Sequence, residues 1–127
     1  MGNNTGATRV ILEAFAKYLQ AADPNTSAHS ILLRWLWERL TLPALNNVDR
    51  VIRYEISLER LDASSLENDV YFDESTGARY TFEPRSKSGS RLLTSLYEYA
   101  MSYEQQKWSR WVHCVKASDF KKTSAQE

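Results

Sequence analysis

The sequence predicts an α+β fold: a single, compact, mostly helical domain with a β-hairpin at about residues 69–83 and a long C-terminal helix. Apolar residues recur at helical spacing over residues 8–40 and again after residue 91. Between these segments, two short aromatic-rich runs flank a turn-forming stretch, as in a hairpin. The chain of 127 residues has the length of one ordinary domain. Its polar ends, residues 1–6 and 118–127, are expected to fray.

Apolar stripes and turn residues define the first two helices. The first is predicted over residues 8–21, since Pro24 prevents its continuation. The second is predicted over residues 27–40, with Thr26 or Ser27 as its N-cap. Because the second helix is apolar around most of its circumference, we expect it at the centre of the fold. The stripe of the first helix consists of Ile11, Phe15, Tyr18 and Leu19.

Residues 48–61 fit two patterns. Val51 and Leu58 fall on one helical face, whereas Tyr54, Ile56 and Leu58 alternate with polar residues as in a strand. We predict a helix, because Glu59 and its neighbours are good helix formers.

The hairpin and the last helix follow. Residues 70–72 and 79–82 are the predicted strands, with Gly77 supplying a positive φ in the loop. Residues 85–90 are predicted to be a flexible basic linker, followed by a helix over residues 91–115. The side chains expected to point inward from this helix are Leu93, Leu96, Tyr97, Ala100, Trp111 and Val115.

The chain lacks a recognisable set of catalytic side chains. It has one cysteine and two widely separated histidines, and no glycine-rich phosphate loop. We therefore predict no catalytic, cofactor-binding or metal-binding residues, and we lean away from an enzyme. His113 and Cys114 are adjacent, so on a helix neither side chain can activate the other. We expect Cys114 to be buried and His113 to lie at the surface.

A cytoplasmic protein is expected. The N-terminus lacks the basic start and apolar run of a signal peptide. No stretch approaches the ~20 apolar residues of a membrane span, so we expect no membrane partner. A single cysteine cannot form an internal disulfide, and nothing therefore indicates an oxidising compartment.

Charge is balanced overall but unevenly distributed. The 16 basic and 16 acidic side chains cancel, which disfavours a dedicated nucleic-acid binder. Residues 1–83 carry 8 basic and 12 acidic groups, a balance of −4, whereas residues 84–127 carry 8 and 4, a balance of +4. The simplest interpretation is attraction between the two halves within the fold, and the alternative is steering of a charged partner.

Two segments interleave basic and aromatic residues. Trp35 and Trp111 fall on the predicted core faces, whereas Trp37 and Trp108 lie off the apolar stripes. Exposed tryptophan beside arginine is typical of protein-interface hot spots. The predicted partner-binding residues are Trp37, Trp108, Arg34, Lys107 and Arg110.

The order helix, helix, helix, hairpin, long helix resembles a winged-helix DNA-binding regulator over about residues 31–83. Residues 39–52 are similar to a helix-turn-helix, although Trp37 and Thr41 replace the small residue and glycine usual in that motif. The resemblance implies DNA contacts in the major groove and on the wing. The residues implied are Asn46, Asn47, Arg50, Arg53 and, on the wing, Arg79.

Three functions follow, in order of preference. The first is a small non-enzymatic cytosolic protein that binds another protein, as an adaptor, inhibitor or accessory subunit. The alternative is a winged-helix transcriptional regulator that dimerises through residues 91–115. The third function applies if residues 48–61 instead form a third strand: the protein is then a small-ligand binder or an enzyme with an unrecognised site. Its ligand cup would be lined by Tyr54, Tyr71, Tyr80 and Phe82.

Overall fold

The computed structural model describes residues 6–126 apart from 66 and 68, and describes side chains as far as residue 115. Three helices, three strands and a long final helix follow one another along the chain. The predicted mixed, mostly helical α+β fold is confirmed. The elements are α1 (Gly6–Ala21), α2 (Ala28–Thr41), α3 (Asn47–Glu55), β1 (Ile56–Arg60), β2 (Tyr71–Asp73), β3 (Ala78–Pro84) and α4 (Lys87–Gln126).

α1 and α2 form where their sequence patterns predict them. The Ser27 hydroxyl caps α2 by accepting a hydrogen bond from the Ser30 N–H at 3.1 Å. α2 contacts the other three helices and the sheet, so it is central as expected. Its Trp35 is only 1% exposed and packs on Phe15 of α1 with ring centroids 5.2 Å apart.

The helix predicted over residues 48–61 is only half correct. α3 ends at Glu55, and the chain continues directly as β1, antiparallel to β3. The helix propensity of Glu59 is overridden because pairing with β3 satisfies the backbone of the strand and Ile56 is buried at its start. The alternating pattern was therefore the correct guide after residue 55.

β2 and β3 form the predicted hairpin, and β1 extends it to a three-stranded sheet in the order β1-β3-β2. Gly77 has φ +75°, as predicted for the turn. The Asp73 carboxylate accepts hydrogen bonds from the hydroxyls of Thr76 at 2.8 Å and Ser75 at 2.9 Å. These bonds stabilise the turn and hold the pKa of Asp73 below its usual value.

α4 begins earlier than predicted, so the linker predicted over residues 85–90 is wrong. The Ser88 hydroxyl is 2.6 Å and 2.8 Å from the two Glu55 carboxylate oxygens, which anchors the first turn of α4 to the end of α3. Gly89 is buried against the Glu55 carbonyl, where any Cβ would overlap the oxygen. Glycine is therefore what permits the close approach of α4 to α3.

α4 also continues past its predicted end at residue 115 and reaches Gln126. The backbone of residues 118–126 is helical, whereas residues 1–5 and 127 lie outside the described part of the chain. Fraying of both ends therefore stays a prediction. In the part of the chain described here, no helix has both the length and the apolar character needed to cross a membrane.

Candidate functional site

The environment of α4 changes near Lys107. Leu92, Leu96 and Ala100 are at most 3% exposed and belong to the core, whereas residues 108–114 are all exposed. Beyond Lys107 the helix therefore projects past the rest of the described chain.

Two predictions for this segment are wrong. Trp111 does not point into the core but is 54% exposed, and Cys114, expected to be buried, is exposed as well. Both predictions assumed that another element would cover the helix, and none in the described residues does.

A cluster of hydrogen bonds fixes α4 where this change occurs. The Glu104 carboxylate accepts hydrogen bonds from the Ala28 N–H and from the Trp108 indole N–H, each at 2.8 Å. Lys107 pairs with Glu104 at 3.0 Å and donates to the carbonyls of Pro24 and Thr26. The N-terminal end of α2 and the preceding turn are thus joined to α4, and the indole of Trp108 is held in one orientation.

Past this cluster, α4 presents an exposed apolar surface that we call the α4 face: Met101, Trp108, Trp111 and Val112. Their spacing places them on one side of the helix. The two indole rings pack edge to face with centroids 5.2 Å apart. Each of the four side chains is between 42% and 59% exposed. Contiguous exposed apolar surfaces of this kind often mark interaction sites.

An open groove of about 770 Å³, the α4 groove, runs beside this face. Its floor is mainly apolar and comes from α4, while α2 and the segment before β2 form the opposite wall. Lining residues include Ser27, His29, Asp69, Tyr97, Met101, Trp108 and Val112.

His29 and Asp69 lie within hydrogen-bonding distance at the edge of the groove, with Nε2 and Oδ1 3.1 Å apart. The His29 ring also stacks on Tyr97, with centroids 5.7 Å apart. Burial, and next the charges of Asp69 and Glu83, raise the pKa of Tyr97 above its ordinary value. No local sequence pattern predicts this cluster, because His29 and Asp69 are distant in sequence.

The predicted partner-binding residues are only partly brought together. Trp108, Lys107 and Arg110 share one stretch of α4, where Arg110 is exposed and has no side-chain partner among the described residues. Trp37 lies about 14 Å farther along α2 than Ala28, the residue joined to α4. It is half-buried, with its ring 4.6 Å from that of Tyr71 and 4.9 Å from that of Tyr80.

Arg34 is exposed and lies close to α1 rather than to α4. Its Nε donates to the Tyr18 hydroxyl at 3.0 Å, and its guanidinium lies over the Tyr18 ring.

Three of the five residues implied by the winged-helix resemblance make hydrogen bonds within their own chain. Asn46 caps α3 by accepting from the Asp49 N–H at 3.0 Å. Arg53 donates to the Arg39 carbonyl at 2.8 Å, and Arg79 donates to three carbonyls in residues 62–65.

The other two, Asn47 and Arg50, lie exposed on α3. Neither side chain has a partner elsewhere in the described residues.

The third strand exists, but the aromatic residues considered for a ligand cup do not enclose a cavity. Tyr54 lies on α3 and is 80% exposed. Trp37 occupies the space over Tyr71 and Tyr80, and Phe82 is buried in the core.

Comparisons of the chain with protein-family models, with curated proteins and with solved structures give no match. In the described residues, no three His, Cys, Asp or Glu side chains are grouped as a metal site would require.

Proposed function

We propose that this chain is a non-enzymatic protein that acts by binding another protein, as an adaptor, inhibitor or accessory subunit, through the α4 face. The observation that carries the proposal is the pair Trp108 and Trp111, each more than half exposed on a helix that projects beyond the domain.

Physical arguments favour a protein partner at this face. Tryptophan and arginine are the residues most enriched in interface hot spots, and Arg110 lies on the same exposed segment. The hydrogen bond from Trp108 to Glu104 already fixes that indole, so binding costs less side-chain entropy.

Affinity capture from an extract of the source cells tests the proposal. The baits are the unmodified chain, the double variant Trp108→Ala/Trp111→Ala and the control Tyr54→Ala, which removes an exposed aromatic from α3. Half of each sample receives nuclease. We expect a stoichiometric protein that survives nuclease with the unmodified chain and with Tyr54→Ala, and that is lost with the double variant. Equal capture by all three baits, or no captured protein, would contradict the proposal.

DNA binding is the second candidate, because α2, residues 42–46 and α3 follow one another as in a helix-turn-helix and the sheet comes next. Exposed Asn47 and Arg50 on α3 favour it. A DNA-binding titration at low salt decides, with Arg50→Ala as the variant. Affinity that falls steeply with added salt and weakens in Arg50→Ala would support this candidate, and no binding at low salt would exclude it.

A further inference from the structure

We infer that the α4 face, when no other protein occupies it, binds a second copy of this chain by antiparallel pairing of the two α4 helices. This inference goes beyond the proposed function, because it gives the same face a second occupant. In the pairing, Trp108 of each copy packs against Trp111 of the other.

Each copy offers both halves of such an interface. Residues 108–126 extend for ~28 Å along the helix axis, and residues 108–114 are exposed on every side. The same chain also presents the apolar α4 groove, which the described residues leave open. A two-fold axis across α4 lets the projecting helix of each copy lie along the groove side of the other. The exposed helix and the open groove of both copies are then covered by one interface.

Over residues 101–115 the apolar residues of α4 have the spacing of paired helices, and the pattern ends there because its next positions are Ser118 and Lys122. Met101, Trp108 and Val115 are seven residues apart, and Trp111 follows Trp108 by three. Apolar residues at alternating intervals of three and four form the seam of a coiled coil. The seam is interrupted at Glu104, which is held inside its own chain by Ala28, Lys107 and Trp108. The intermolecular contact is therefore expected to begin at Trp108.

Charge favours a second copy and the antiparallel direction. Residues 107–126 carry five basic side chains and one acidic, whereas residues 1–83 have a balance of −4. Antiparallel pairing brings the basic segment of one copy alongside the α4 groove of the other, whose wall includes Asp69, while parallel pairing would bring the two basic segments together. The net charge of the whole chain is zero at pH 7, so overall repulsion does not oppose self-association.

The exposed area is sufficient to begin such an interface. A fully buried aromatic side chain removes about 150–250 Å² from water, so the two half-exposed tryptophans offer on the order of 200 Å² per copy. A standard interface buries about 800 Å² per partner. The groove wall and the rest of the projecting helix must supply the remainder, which places the dimer among weak, concentration-dependent ones.

Light scattering on the full chain over about 1 to 200 µM tests the inference. The mass should rise towards that of a dimer for the unmodified chain and for the Tyr54→Ala control. The variant Trp108→Ala/Trp111→Ala should stay monomeric, with dimerisation weakened roughly 100-fold or more. Cooperative urea unfolding followed by far-UV circular dichroism checks that the variant is folded. A monomeric unmodified chain, or a double variant that still dimerises equally, would overturn the inference.

A cysteine placed on the α4 face tests the direction of pairing. In the variant Met101→Cys/Cys114→Ser, an antiparallel dimer with Trp108 against Trp111 keeps the two introduced thiols about 25 Å apart along the axis, whereas a parallel dimer in register brings them together at the seam. A disulfide requires Cα atoms within about 7 Å. Under mild oxidation we expect this variant to cross-link no faster than the same variant that also carries Trp108→Ala/Trp111→Ala. Rapid cross-linking that depends on the two tryptophans would overturn the antiparallel arrangement.

The two proposals fail separately. A monomeric chain whose capture of another protein still depends on Trp108 and Trp111 keeps the proposed function and removes this inference. A tryptophan-dependent dimer that captures no other protein keeps this inference and removes the proposed function.

Discussion

The two halves of α4 carry similar numbers of apolar residues but lie in opposite environments. The first half buries Leu92, Leu96 and Ala100 against α2 and the sheet, while the second leaves Trp108 and Trp111 in solvent. Both halves place apolar residues at helical spacing, so periodicity alone does not distinguish them. What distinguishes them is whether another element lies opposite, which is a tertiary property of the fold.

The contrast also identifies where function is expected. A buried stripe is explained by the stability that it provides. An exposed stripe of equal apolar character stabilises nothing within the monomer, so its presence on a projecting helix points to association. The hydrogen bonds and ion pair of Glu104 and Lys107 lie at the boundary between the buried and the exposed half of α4.

Truncation of the buried half should have the largest effect on stability. Leu96 is fully buried, so Leu96→Ala is expected to lower the free energy of unfolding by about 2–5 kcal/mol through lost transfer energy and a new cavity. The matched change Trp111→Ala removes a larger but exposed side chain. It should alter the free energy of unfolding by no more than about 0.5 kcal/mol. Urea unfolding at low protein concentration measures both. Equal losses in the two variants would remove the distinction between the halves.

A smaller effect, dependent on pH, is expected at the boundary. Burial raises the pKa of Glu104, but the hydrogen bonds from Ala28, Lys107 and Trp108 outweigh it and hold that pKa below its ordinary value of 4.5. A carboxyl group with a lowered folded pKa stabilises the fold above its unfolded pKa, and this stability is lost as the pH falls through the folded value. Glu104→Gln should therefore be less stable than the unmodified chain at pH 7, and the difference should shrink below pH 4.5.

Thermal unfolding at a series of pH values measures this difference. The control is Glu98→Gln, which changes an exposed glutamate of the same helix that has no side-chain partner elsewhere in the described residues. We expect little change from it at any pH. A pH-independent loss in Glu104→Gln would indicate lost packing rather than lost charge.

Local patterns predicted the parts of the fold that local forces determine. The helical stripe around Phe15, the Ser27 cap and the positive φ of Gly77 each depend on a few neighbouring residues, and each was found. For residues 56–60 helix is predicted and strand is the alternative, because these helix-forming residues take strand geometry only when β3 is beside them. The early start of α4 was missed because it requires Gly89 to approach the Glu55 carbonyl.

The candidate site was less predictable than the fold. Trp108 was selected because it lies off the apolar stripe, whereas Trp111 was assigned to the core on the same spacing argument. Spacing places a residue on a face of a helix but does not show what covers that face. The cluster of His29, Asp69 and Tyr97 depends on three separate segments meeting, for which no local pattern exists.

Hydrogen exchange along α4 at low and high protein concentration is the most direct test of the central claim, that its second half finds a partner only by association. The account predicts that amides of residues 92–104 are protected at both concentrations. Those of residues 108–115 should gain protection only at high concentration, and not in Trp108→Ala/Trp111→Ala. The account is contradicted if the amides of residues 108–115 are as protected as those of residues 92–104 already at low concentration, and if their protection does not change with concentration.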